Sequence, residues 1–225
     1  MYLSRLILNP RNRRVQNEMA RPYELHRSVL KAFPDAMPDS ERVLYRVDHD
    51  ARGERLTLLV QSESRPDWTW AEQSPGYLLD DGSVADGPLA VKEFALALQP
   101  GQVLAFRLRA NPTVKKKSHE RPDGVMPPNG IRLGLVREED QRAWLERKGQ
   151  QHGFRVLRLL IAPEGMQVGH QPVSQEQPRR LAHMAVRFEG VLQVTDPALL
   201  SEAVRAGIGS AKSFGFGLLS LARLR

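Results

Sequence analysis

Two halves of this 225-residue chain carry hydrophobic patterns in the same order, and no other feature limits the fold as much. Residues 1–9 alternate around Leu3, Leu6 and Leu8 and read as a strand. After the polar, basic stretch Arg11 to Arg21, Pro22 suits a first helical position, where its missing N–H costs nothing. Leu25, Val29, Ala32 and Phe33 then form an apolar stripe at i, i+4, i+7 and i+8, which predicts a helix ending before Pro34. Residues 43–47 and 56–61 read as two strands, a short Trp-containing segment and a Gly/Asp-rich loop follow, and 94–98 reads as a closing strand. In the second half, residues 103–110 read as a strand, 112–130 as a long polar loop and 137–150 as a helix with Trp144 and Leu145 on its apolar side. Residues 154–161 and 185–194 read as strands separated by a Gly/Pro-rich hairpin region. Asp196 can cap a helix opened by Pro197 and running through Leu199, Leu200 and Val204; a glycine-rich loop then leads to a last strand at 216–224.

Twice over, the order is βαββαβ. The expected class is therefore α+β, with two tandem ferredoxin-like domains, RRM-like in topology, spanning residues 1–99 and 100–225 and meeting near Gln99-Pro100-Gly101. No short sequence period recurs, so the repetition is structural rather than that of a solenoid. RNA-recognition motifs share this fold and present a sheet face to RNA. The chain nevertheless lacks an aromatic-rich RNP1-like segment: Phe214 and Phe216 sit two apart without the flanking pattern. Fold alone leaves the function open.

Charge narrows the field. The formal net charge is +7, and basic and acidic residues balance over positions 1–112, so the whole excess lies in residues 113–225. A one-sided basic excess points to a polyanionic partner, most often nucleic acid. The absence of cysteine excludes a disulfide scaffold, a thiolate zinc site and a cysteine nucleophile. The apolar stretch near Met1 is short and interrupted by Arg5, unlike a signal peptide, and no apolar run is long enough to span a membrane. A cytoplasmic protein with no membrane partner is expected.

Tyr23 and His26 are the sharpest chemical pair. At i, i+3 they are surface neighbours on the predicted helix and lie at the edge of its apolar stripe. Tyr23, Arg27 and Lys31 fall on an i, i+4, i+8 line beside them. Histidine exchanges a proton near neutral pH, a tyrosine hydroxyl ordinarily arrives protonated, and a lysine balances charge on a phosphate. Cleavage of RNA by its own 2′-hydroxyl needs such a set and no metal. Amphipathic packing would place the same residue types at the same helix edge, and spacing alone does not separate the two readings.

The second feature is the run Gly207-Ile208-Gly209-Ser210-Ala211-Lys212-Ser213-Phe214-Gly215-Phe216-Gly217. Glycines let a backbone approach phosphates, and successive N–H groups can form an anion nest. The dinucleotide pattern fails because Lys212 occupies the third glycine position, and the Walker pattern fails because no glycine precedes Lys212. An RNA-backbone contact through Gly207, Gly209, Lys212, Ser213 and Gly215, or a plain structural connector, remains. Basic residues in the positive half add Lys115, Lys116 and Lys117 on the polar loop, Arg179-Arg180, and Arg155 with Arg158, which three-residue spacing on a regular strand sends to opposite faces. The histidines other than His26 show no metal-ligand spacing, so no metal or other cofactor is expected.

The chain resembles the CasE (Cse3) family of CRISPR-associated endoribonucleases from type I-E systems. The resemblance covers nearly all of it: Tyr2-Leu3-Ser4-Arg5-Leu6 and Asn9-Pro10, then Arg21-Pro22-Tyr23-Glu24-Leu25-His26-Arg27 with Lys31-Ala32-Phe33, then Phe106-Arg107-Leu108-Arg109-Ala110-Asn111-Pro112. It continues through Trp144-Leu145 and Gly153-Phe154 to Gly207-Ile208-Gly209, Lys212, Phe214-Gly215 and Gly217-Leu218-Leu219-Ser220. The resemblance implies metal-independent cleavage of precursor CRISPR RNA at the base of the repeat stem-loop, leaving a 5′-hydroxyl. It also implies that the guide RNA is retained for assembly with the other Cascade subunits. Tyr23 and His26 match the family's catalytic positions and Lys31 a third. Arg27, Lys115, Lys116, Lys117, Arg158 and the glycine-rich loop are the expected RNA contacts. A non-catalytic RNA-binding subunit would keep the basic half and the glycine loop but lack the Tyr–His pair.

Overall fold

The computed structural model describes residues 1–38, 41–50, 55–82, 84, 86–116, 131–171 and 179–224. Its elements are β1 (Tyr2–Leu8), α1 (Arg13–Ala20), α2 (Pro22–Leu30), β2 (Leu44–His49), β3 (Leu56–Ser62), α3 (Thr69–Glu72), β4 (Leu89–Glu93), β5 (Val103–Ala110), β6 (Thr113–Lys116), β7 (Ile131–Gly134), α4 (Glu138–Gln151), β8 (Phe154–Gln171), β9 (Arg179–Val194), α5 (Pro197–Ala206), a 3-10 turn at Lys212–Phe214 and β10 (Leu219–Arg223). Two four-stranded sheets result, ordered β2-β3-β1-β4 and β10-β5-β9-β8, with every pairing antiparallel. In each, the first and third strands are central, the order that a βαββαβ chain gives. Both units are ferredoxin-like.

Each sheet buries one face against its helices. Leu6 and Leu8 of β1, Leu58 and Val60 of β3, and Leu25 and Val29 of α2 share the first core with Tyr45 and Tyr77. Phe106 and Leu108 of β5, Phe188 and Leu192 of β9, Trp144 and Leu145 of α4, and Leu200 and Val204 of α5 share the second. The Asp196 carboxylate accepts from the backbone N–H groups of Ala198 and Leu199, as its place before Pro197 predicts.

Several boundaries differ from the sequence reading. The stretch 11–21 contains a helix, α1, capped by the Asn12 side chain. Its apolar face is narrow because a buried glutamate, Glu18, stands where a hydrophobic residue would have revealed it. The closing strand of the first sheet is β4 at 89–93, not 94–98. Leu96 and Leu98 already pack against the second core, so this segment is the crossing between the two units. Lys115 and Lys116 lie on β6, paired with β7, rather than on a loop. The β8–β9 ladder extends to Gln171 and Arg179, so both strands run well into the Gly/Pro-rich hairpin region that the sequence places between 161 and 185. Residues 216–218 precede the last strand and are buried.

The two units are joined by polar contacts. Arg46, 2% exposed, holds Asp48 with two hydrogen bonds of 2.8 and 2.9 Å. It also donates to Ser220 Oγ (3.1 Å) and to the carbonyls of Leu218 and Arg107 (3.4 Å each). Gln61 Nε2 donates to the Val204 carbonyl at 2.7 Å.

Candidate active site

α2 sets the site because its first turn is pre-formed and its stripe is buried. Pro22 occupies the first turn, and Leu25, Val29, Ala32 and Phe33 are all buried. The helix is regular to Leu30 and then tightens, Ala32 N–H bonding Val29 and Phe33 N–H bonding Leu30. Tyr23 and His26 are half-buried at the edge of the stripe, one turn apart, while Arg27 and Lys31 are exposed. Arg27 pairs with Glu24 at 3.3 Å. The Lys31 ammonium sits 5.8 Å from the centre of the Trp70 ring, within range of a cation–π contact.

His26 lies against the junction of the two units. Its ring stacks on Tyr45 of β2, with centroids 6.1 Å apart and planes 19° from parallel. Among the described residues its buried Nδ1 has no hydrogen-bond partner, which leaves Nε2 as the ring nitrogen available to a ligand. Burial pushes its pKa below the usual histidine value and keeps the ring neutral near pH 7. The Tyr45 hydroxyl donates to the Ser213 carbonyl at 2.7 Å and lies 3.5 Å from that of Pro22, so one side chain ties the start of α2 to the glycine-rich loop. Beside it opens a cavity of about 470 Å³ lined by residues of both units, among them Tyr45, Arg109, Glu164, Gln167 and Phe214.

α2 is fixed from its other side by a buried carboxylate. Glu18 accepts from Arg14 Nε (2.9 Å), Ser28 Oγ (2.5 Å) and the Tyr77 hydroxyl (2.7 Å). The Arg14 guanidinium lies over Trp70 and Tyr77, 4.6 and 5.1 Å from the ring centres. Trp70 therefore faces both Arg14 and Lys31. Sequence reasoning missed Tyr45 and this network. The Arg14/Glu18 pair at i, i+4 was the available signal for α1; Tyr45 had none, being one aromatic among the apolar residues of a strand.

The glycine-rich run is largely explained by packing. Gly207, at φ +74°, lies where a Cβ would fall 2.9 Å from two Leu44 carbons, across the junction of the units. Gly215, at φ +78°, would bring one to 3.1 Å from the Tyr45 ring. Gly209 abuts Trp144, and Ser213 offers its carbonyl to Tyr45 while its side chain is exposed. Lys212 is half-buried and donates to the Ala206 carbonyl. Burial first, then the nearby cations Arg42 and Lys148, lower its pKa.

Of the other basic candidates, Lys115 is exposed on β6. Lys116 continues that strand, and Lys117 lies outside the described residues. Arg155 and Arg158 do not point to opposite faces. The ladder shifts register between Val156 and Arg158, and Val156 and Leu159 both pack on the core while Arg155, Leu157 and Arg158 are exposed. The bulge inserts one residue and returns Arg158 to the face that Arg155 occupies. Among the described residues, no group of three or more histidine, aspartate or glutamate side chains gathers as a metal site would require. No helix there is long and apolar enough to cross a membrane.

Residues 1–223 match the family model described as CRISPR associated protein. The CRISPR-associated endoribonuclease Cse3 of Thermus thermophilus is 36% identical over 231 residues, covering 99% of this chain and all of the relative. The CRISPR system Cascade subunit CasE of Escherichia coli is 33% identical over 234 residues, covering both chains fully. A solved structure of CRISPR endoribonuclease Cse3 bound to a 19-nucleotide RNA superimposes with a TM-score of 0.81 at 34% identity, over 99% of this chain and 100% of that one.

Proposed function

This chain belongs to the CasE/Cse3 family of CRISPR-associated proteins, and from that membership we propose that it cleaves RNA by attack of the substrate's own 2′-hydroxyl, with Tyr23, His26 and Lys31 as the catalytic groups. It is an RNA-binding endoribonuclease of CRISPR RNA processing and a Cascade component. The substrate is the repeat stem-loop of precursor CRISPR RNA, cut at its base in the cytoplasm.

In this reading His26 Nε2 takes the proton from the 2′-hydroxyl. The freed oxygen attacks the adjacent phosphorus, the bond to the 5′-oxygen breaks, and the Tyr23 hydroxyl protonates that oxygen. The products are a 2′,3′-cyclic phosphate and a 5′-hydroxyl end. Lys31, exposed at the end of α2 with its ammonium near Trp70, would swing to the charge that grows on the phosphorane once RNA is bound. The observation that carries the proton assignment is the burial of His26, which favours the neutral ring and so supplies a base at neutral pH. Arg27, Lys115, Lys116, Lys117, Arg158 and Ser213, with the backbone at Gly207, Gly209 and Gly215, are the proposed RNA contacts; Lys212 would join them in full only by giving up the Ala206 carbonyl. Residues 1–99 would form the catalytic unit and 100–225 the basic one.

The test is a stem-loop repeat RNA carrying a single 2′-deoxy substitution upstream of the scissile phosphate, incubated in EDTA beside the all-ribose RNA. Cleavage of the ribose form alone, with both RNAs bound equally, is expected. Cutting of the deoxy RNA would make water the nucleophile and overturn the mechanism. A cleavage rate that falls as pH rises through the His26 titration would make His26 the acid instead.

A further inference from the structure

We infer that Tyr45 is a positioning residue for cleavage: its ring, stacked on His26, holds the imidazole in the orientation that proton transfer requires. The inference rests on the reading of His26 as the group that moves the proton. Tyr45 is 1% exposed and sits on β2, far in sequence from both segments it touches. Its hydroxyl is fixed on the Ser213 carbonyl at 2.7 Å. Its other flank meets Gly215, where a Cβ would come to 3.1 Å. The ring therefore has little freedom to rotate or retreat, and a stacked neighbour inherits that rigidity.

Among the described residues, no hydrogen bond fixes the His26 Nδ1, so the usual device for orienting a catalytic histidine, a carboxylate or carbonyl on the second nitrogen, is not found there. Stacking supplies orientation in its place. The Tyr45 phenol itself is held far above its usual range, chiefly by burial, so it stays protonated and acts through its ring and its hydrogen bond, not by proton transfer.

The charged groups around α2 are committed elsewhere. Glu18 of α1 is bound to Arg14, Ser28 and Tyr77; Lys212 of the 3-10 turn to the Ala206 carbonyl; Glu164 of β8 to Arg109; and on α2 itself Glu24 pairs with Arg27. The depression of the His26 pKa comes from burial, with no charged neighbour contributing. Removing the Tyr45 ring admits water to the imidazole and moves that pKa upward.

The experiment measures single-turnover cleavage of a stem-loop repeat RNA across pH for Tyr45→Leu, Tyr45→Phe, His26→Ala and the Tyr45→Leu/His26→Ala double variant, with RNA affinity and thermal unfolding alongside. Tyr45→Leu should slow cleavage about 100-fold, the scale of a misplaced catalytic group, with affinity unchanged. Its pH–rate limb should shift upward, and Tyr45→Phe should restore most of the rate. In the His26→Ala background the leucine substitution should cost nothing further, because residues acting as one unit are non-additive. If Tyr45→Leu does not fold, Tyr45→Met fills similar volume without a ring and is read in the same way. Wild-type cleavage and an unshifted limb in the ring-less variant, or full additivity with His26→Ala, would overturn the inference. A wild-type rate in His26→Ala would instead overturn the catalytic reading beneath it.

Discussion

The Lys212 ammonium donates to the carbonyl oxygen of Ala206 at 2.5 Å, closing the C-terminal end of α5. A lysine in a glycine-rich, basic segment reads as a phosphate ligand, yet this one already serves a helix end, where a cation is favoured by the helix dipole. Lys212→Ala should lower stability by about 1 kcal/mol, seen in denaturant unfolding. It should change the slope of log affinity against log salt by less than the roughly 0.7–0.9 of a complete phosphate contact. A full change in slope, with stability untouched, would mean that the amine leaves Ala206 for RNA.

His26→Ala and Tyr23→Phe should each slow single-turnover cleavage by roughly 10²–10⁴-fold, the range of general acid–base groups, and leave RNA affinity nearly unchanged. Rates within a few-fold of wild type for both would return these residues to ordinary helix packing.

Acidification should destabilise the fold below about pH 6.5, the ordinary histidine pKa. His26, His152 and His183 are all lowered, chiefly by burial, and among the described residues the buried His183 Nε2 has no partner. The unfolded chain therefore binds protons that the native state refuses, and stability is lost as pH falls from that value through the depressed native pKa values. Thermal midpoints measured from pH 7.5 to 5 should decline steadily; a flat profile would contradict the burial of these rings.

Asp48→Ala should cost about 3 kcal/mol, because it leaves the Arg46 guanidinium buried without its carboxylate. Burial tends to raise the Asp48 pKa, but Arg46 and Arg107 outweigh it and hold the carboxyl below its usual value. Its contribution is thus present above the unfolded aspartate pKa and lost as pH falls through the lower native one. Arg46 reaches across to Ser220 and Leu218, so the unfolding transition of Asp48→Ala is also expected to broaden as the two units uncouple. Denaturant titration followed by tryptophan fluorescence would report both effects.

Much of this protein was legible in the residue order. The strand at 103–110, the stripe of α2 and the Asp196 cap of α5 depend on neighbours within a few positions, and periodicity or capping chemistry records such neighbours directly. The Tyr23–His26 spacing is of the same kind. What the residue order left undecided depends on segments far apart in the chain. α1 hides behind a buried glutamate whose partners Ser28 and Tyr77 come from other elements. Arg158 changes face because of a bulge between β8 and β9, and strict alternation cannot announce an inserted residue. Tyr45 meets His26 and Ser213 only when β2, α2 and the glycine-rich loop converge. Local sequence fixes the backbone's repeat and which face turns inward. Which side chains then meet across the junction of the two units is set by long-range packing, which leaves no periodic trace in any one segment.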